Sequence, residues 1–131
     1  MKQLLILIFL FLIQNIFAQL FRCNLKEKKT EENILVEKIS EDELHSTYLI
    51  TIKNNVPLHL HKSHSENIVV IDGEAIMKIG DDTLKILPKD QITIPKGTIH
   101  EVIRVIGKRS LKVISVQSPK FDPSDRYFIK N

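Results

Sequence analysis

In the stretch PLHLHKSHSE, from Pro57 to Glu66, three histidines fall close together and a glutamate follows. Residues two apart on a strand point to the same face, with Cα atoms about 6.5 Å apart, so the imidazoles of His59 and His61 can reach one ion. Leu58 and Leu60 would then pack on the opposite face. Glu66 follows His61 at a distance that lets a tight turn return it on the neighbouring strand. Its carboxylate completes a mixed nitrogen and oxygen donor set of the kind that suits Mn, Fe, Ni, Cu or Zn. The same residues also fit a second reading, a solvated polar turn between two strands. A further histidine, His100, opens the segment HEVIRV after a turn built by Pro95 and Gly97. Taken alone, a histidine at the start of a strand is ordinarily structural.

The elements around these residues are strands. TYLITI, from Thr47 to Ile52, is β-branched and aromatic, and NNVP after it is a turn. LHLH alternates, and NIVVI is a buried-looking run ended by DGE. AIMKI and TLKIL flank GDD, a hairpin signal. QITIP, IHEVIRVI and LKVISVQ follow, separated by KGT and GKRS. ILVEKISEDEL, from Ile34, suits a strand or a short helix equally. Short strands with turn residues every 8 to 12 positions, roughly eight of them, predict an all-β sandwich or barrel rather than a parallel α/β sheet. That domain is expected over residues 34–131.

In this order the pieces resemble a known family. His-x-His-x4-Glu-x6-Gly is met by His59, His61, Glu66 and Gly73, and Pro-x-Gly-x2-His by Pro95, Gly97 and His100. These are similar to the two motifs of the cupin superfamily, in particular its small single-domain, type-2-like members, and the resemblance spans residues 49–117. It implies a jelly-roll β-barrel holding one divalent metal ion (Fe, Mn, Ni, Cu or Zn) through His59, His61, Glu66 and His100. It further implies open coordination positions, where the ion would serve as Lewis acid or redox centre. Dioxygenases, isomerases, decarboxylases and lyases are all compatible with such a fold, which by itself selects none of them. The chain departs from the family pattern in three places. Lys53 and Lys89 stand where the motifs usually open with glycine, and Arg104 stands where the second motif often ends with asparagine.

Two more residues are candidates for chemistry. Strict alternation puts Arg104 on the same strand face as His100 and Val102, hence inside the barrel. There it would clamp an acidic substrate, pair with an internal glutamate, or snorkel out past the rim. His64 falls in the turn before Glu66 and is expected to face water or the barrel mouth, either as a solvated residue or as a proton-transfer group. His45, in SEDELHS, reads as surface. In the tail, Pro119 and Pro123 stop strand pairing, and Phe121 and Tyr127 are expected to cover a barrel opening, pack on the outer face, or meet a second subunit.

The rest of the chain narrows the context. MKQLLILIFLFLIQNIFAQ carries a lysine, an apolar run from Leu4 to Ile13, and Ile16 and Ala18 before a cleavage point. Residues 1–18 therefore read as a signal peptide for a secreted or periplasmic protein, with an uncleaved anchor as the alternative. Residues 19–33 read as a charged, flexible lead-in. The formal net charge of +3 is small and evenly scattered, and the chain has no tryptophan, so nucleic acid is not an expected partner. No membrane association is expected once the leader is removed. The single cysteine, Cys23, cannot form an internal disulfide. No Gly-x-Ser-x-Gly nucleophile motif is present, and covalent hydrolysis is disfavoured. The expected ligand is a small polar or anionic molecule, a homodimer is compatible with the fold, and the function is either metal-dependent catalysis or non-catalytic binding of a sugar, an organic acid or the metal itself.

Overall fold

The computed structural model describes residues 20–22 and 31–130. The apolar leader and Cys23 lie outside the described residues. Ten strands follow one another: β1 (Ile34–Glu41), β2 (Ser46–Ile52), β3 (Val56–Leu60), β4 (Ser65–Asp72), β5 (Glu74–Ile79), β6 (Asp82–Ile86), β7 (Gln91–Ile94), β8 (His100–Ile106), β9 (Leu111–Ser118) and β10 (Tyr127–Phe128). They form two antiparallel five-stranded sheets, ordered β1-β2-β9-β4-β7 and β10-β3-β8-β5-β6. The expected all-β jelly roll is found, and among the described residues no helix is long and apolar enough to cross a membrane.

Alternation builds the interior. Ile52, Ile68, Val70, Ala75, Met77, Ile86, Ile94, Val102, Leu111 and Val113 interlock between the sheets as one buried cluster, which supplies the main driving force for closing one sheet on the other. The ambiguous ILVEKISE segment becomes β1, an edge strand paired with β2 from Ile34↔Ile52 to Glu41↔Ser46 and bulged between Lys38 and Ser40. None of its residues is fully buried, so its sequence carries no clean two-residue period.

Two turns fix how the strands change sheets. Gly73 is the corner between β4 in the first sheet and β5 in the second; its φ is +77°, and a Cβ there would strike the Ser110 carbonyl oxygen. Only glycine fits. Lys89, where the family usually has a glycine, takes a φ of +82° and is held by its N–H donating to the Val70 carbonyl at 2.8 Å. The glycine-like backbone survives there without the glycine. Lys53 is not among the positive-φ residues, so that turn never needed one.

Candidate metal centre

The centre lies between the two sheets. His59 on β3 is the register partner of His100 on β8, and His61 follows directly after β3. A register irregularity between Val56 and His59, at a proline that cannot donate to the ladder, turns His59 to the inner face. The three imidazoles are buried, with ring centroids 4.2 Å apart for His59–His100, 5.1 Å for His59–His61 and 5.3 Å for His61–His100. One ring nitrogen from each lies within 4.8 Å of the others. The turn of the second motif is clipped to the first by the Gly97 N–H, which donates to the His61 carbonyl at 2.6 Å.

Each imidazole has its tautomer set by the backbone. His59 Nδ1 lies 2.7 Å from the Pro57 carbonyl, His61 Nδ1 2.6 Å from the Asp125 carbonyl, and His100 Nδ1 3.0 Å from the Thr98 carbonyl. A carbonyl oxygen only accepts, so each Nδ1 carries the proton and donates it. Each neutral ring therefore keeps its Nε2 lone pair free. Outer-sphere support of this kind orients imidazole ligands in metal proteins. Burial, reinforced by repulsion from His100, pushes His59 down to about 4; burial likewise lowers His61. Both rings are thus neutral, as ligands must be.

Glu66 reaches the same space from β4 in the opposite sheet. Its Oε1 accepts hydrogen bonds from the Ser115 hydroxyl and from Gln117 Nε2, the latter at 3.3 Å, while Oε2 faces His100 Nε2 across 3.5 Å. Burial alone would raise its pKa, but the hydrogen bonds it accepts, that of the Ser115 hydroxyl among them, hold it down to about 2. His100 Nε2 is buried without a hydrogen-bond partner. A convergent set of imidazole lone pairs beside an ionised carboxylate is the donor chemistry of a divalent transition metal, and these residues fit one. Glu66 stands beside His100 and outside the group formed by His59, His61 and His100; among the described residues His61, His64 and Asp125 form a second group of the same kind.

The other two sequence candidates are placed elsewhere. Arg104 is exposed and does not line the cavity. In the β5–β8 ladder Met77 pairs with Val102 but Ile76 pairs with Arg104, so Ile103 is an extra, unpaired residue. That bulge reverses the alternation: Arg104 turns outward and Val105 packs against the core. His64 is neither solvated nor at the mouth. It is 1% exposed, stacked 4.1 Å from the His61 ring and edge-on to Phe121 at 5.5 Å. Its Nδ1 sits 2.9 Å from Asp125 Oδ2, without the alignment of a hydrogen bond. His45 pairs with Asp42 at 2.9 Å near the surface.

Sequence reasoning missed Asp125. Its carboxylate accepts the Lys62 N–H at 2.8 Å, the Ser63 N–H at 3.0 Å and the Ser63 hydroxyl, while its own carbonyl holds His61. An acid in a polar tail carries no local mark of this role. Ser115 and Gln117 did carry one: both are polar residues in line with the inward Leu111 and Val113 of LKVISVQ, and both are buried on Glu66.

A cavity of about 340 Å³ opens onto the centre. His59, His61, Glu66 and His100 line one part of it, and the rest is mostly apolar, including Ile50, Ile68, Met77 and Val113. That volume lies in the range of small-molecule sites.

Comparison with known proteins agrees with this architecture. An uncharacterised protein of Aquifex aeolicus (strain VF5) is 29% identical over 94 residues, spanning 72% of this chain and 76% of its own. KdgF from Halomonas sp. superposes with a TM-score of 0.67 at 17% identity, covering 82% of this chain and 99% of that one. Pac13 of Streptomyces, described as a nucleoside dehydratase, superposes with a TM-score of 0.61 at 17% identity, covering 80% and 92%. These two show the shared fold. The cupin-domain family model matches residues 49–117, over half of the chain and the whole span of both motifs, and the chain belongs to the cupin family.

Proposed function

We propose that this cupin is a metal-dependent enzyme of dioxygenase, isomerase or lyase type, acting on a small polar substrate, with one divalent ion held by His59, His61, Glu66 and His100. The observation that carries the reading is the shared state of three imidazoles. Each spends its Nδ1–H on a backbone carbonyl and presents a free Nε2 to one buried space. When bound, the ion supplies Lewis acidity or redox chemistry at a position open to the cavity. The chain's own residues do the rest. Ser115 and Gln117 fix the Glu66 carboxylate, Asp125 and Pro57 fix the ring planes of His61 and His59, and the apolar walls exclude water from the bound molecule.

A second reading is supported by a specific observation. Neither His64 nor Arg104 lines the cavity, so neither is poised to move a proton to or from a substrate there. That favours a binding module, in which the same centre holds a sugar, an organic acid or the metal without turnover. The two readings separate on the metal-loaded protein, by following oxygen uptake and product formation across diols, keto acids and sugar acids. Turnover that depends on the ion identifies the enzyme; tight binding with no turnover identifies the module. The apolar leader further suggests action outside the cytoplasm, in a secreted or periplasmic setting, which mass determination of the N-terminus of the exported protein tests. A homodimer remains compatible with the fold and is tested by light scattering.

A further inference from the structure

The C-terminal segment places a cation where the sequence motifs did not. After Asp125 anchors the tail on the 61–64 turn, β10 pairs with β3 so that Tyr127 faces Leu60 and Phe128 faces His59 across the ladder. Side chains two apart share a face, so Arg126 and Phe128 lie on the side of His59, and both line the cavity. The Phe128 ring stands 6.0 Å from that of His59. Tyr127 takes the other face, under the Lys62 ammonium at 4.1 Å.

Arg126 is exposed at the cavity edge. Its guanidinium lies 5.6 Å above the Phe121 ring, a contact that orients the planar fork without neutralising it. The ion pairs among the described residues give it no carboxylate partner. Of the acids on the cavity wall, Glu66 is engaged in the centre and Glu101 lies across the β5–β8 ladder from Lys78. The cavity lining therefore includes a donor set at one place, apolar walls, Glu101 on β8, and the Arg126 guanidinium at the edge without a carboxylate partner among the described residues.

We propose that Arg126 is the specificity-determining residue of the cavity, pairing with the carboxylate of a ligand whose apolar body lies against the barrel walls. The substrate class is thus a small carboxylic acid with an aliphatic or aromatic body, in place of a neutral sugar. This rests on the reading of the centre as a metal site, and it deepens that reading by naming the ligand. Arginine suits the role because its fork matches a carboxylate through two parallel hydrogen bonds. The tail that brings Arg126 also brings Asp125, so one segment both braces His61 and selects the ligand.

The test uses the full exported protein loaded with Co²⁺, with metal content measured alongside calorimetric binding of mandelate and hexanoate, each beside its primary amide. Wild type should hold the metal and bind at least one acid about tenfold more tightly than the amide, the worth of one charge-assisted pair. Arg126→Gln should erase that preference with metal content unchanged, Arg126→Lys should retain part of it, and Arg104→Gln should leave it intact. Full metal content with no acid preference in wild type, or a preference that survives in Arg126→Gln, overturns the assignment of Arg126 and leaves the metal site standing. Absence of metal in folded wild type overturns the metal reading and the ligand assignment with it.

Discussion

His100 Nε2 and Glu66 Oε2 face each other across 3.5 Å in a buried space, and each belongs to a group whose other polar atom is already engaged. His100 gives its Nδ1–H to the Thr98 carbonyl, and Glu66 receives the Ser115 hydroxyl and the Gln117 amide on Oε1. Two lone pairs so placed repel unless a positive charge stands between them, and only a proton or a metal ion can supply it. That arrangement supports the proposed metal site and carries the predictions that follow.

Replacing Glu66 by Gln keeps the shape and removes the charge. The account expects metal affinity to fall by about a hundredfold, at the upper end of the tenfold to hundredfold cost of losing an outer-sphere partner. Competitive chelator titration measures the fall, and circular dichroism should show the sheet signal unchanged.

Asp125 should matter to both stability and metal binding. Asp125→Ala strips the acceptors from the Lys62 and Ser63 amides and is expected to cost about 1–3 kcal/mol in chemical denaturation. Loosening of the 61–64 turn should weaken metal binding by about tenfold.

The same residue gives a pH signature. Burial opposes its charge, but the Ser63 hydroxyl, the Ser63 and Lys62 amides and His64 hold the carboxyl well below its usual range. A depressed folded-state pKa gives stability that is present above the unfolded value, about 3.9, and is lost as pH falls below it toward the folded value. Denaturation midpoints of metal-free protein should therefore drop less steeply on acidification in Asp125→Asn than in wild type.

Gly73 and Lys89 predict opposite outcomes at two positive-φ turns. Gly73→Ala forces a methyl group against the Ser110 carbonyl and should cost more than about 2 kcal/mol. Lys89→Gly relieves a left-handed φ at the expense of unfolded-state entropy and should be neutral or stabilising by up to about 1 kcal/mol. Thermal unfolding of the two variants checks both.

The strands were legible because their two-residue period coincides with burial between two sheets. The turn after His61 was legible too, but it carries Glu66 into the opposite sheet rather than onto a strand paired with β3, so His59, His61 and Glu66 meet across the space between the sheets. What escaped reading came from events with no local signature. One extra residue at Ile103 reversed the face of Arg104, and counting two residues per face along HEVIRV leaves no place for it. β1, at a sheet edge, was ambiguous because neither of its faces is fully buried. His64 was expected to face water or the barrel mouth because its turn was legible and the tail that covers it was not. Asp125 and Arg126 acquire their places only when β10 docks on β3, a contact between chain segments more than sixty positions apart.

The central claim is that four named side chains hold one ion, and elemental analysis of purified protein tests it most directly. Wild type is predicted to carry close to one equivalent of a divalent transition metal, with His59→Ala, His61→Ala and His100→Ala at background and Glu66→Gln strongly reduced. Folded wild type at background, or a His59→Ala, His61→Ala double variant that retains the wild-type content, would contradict the account.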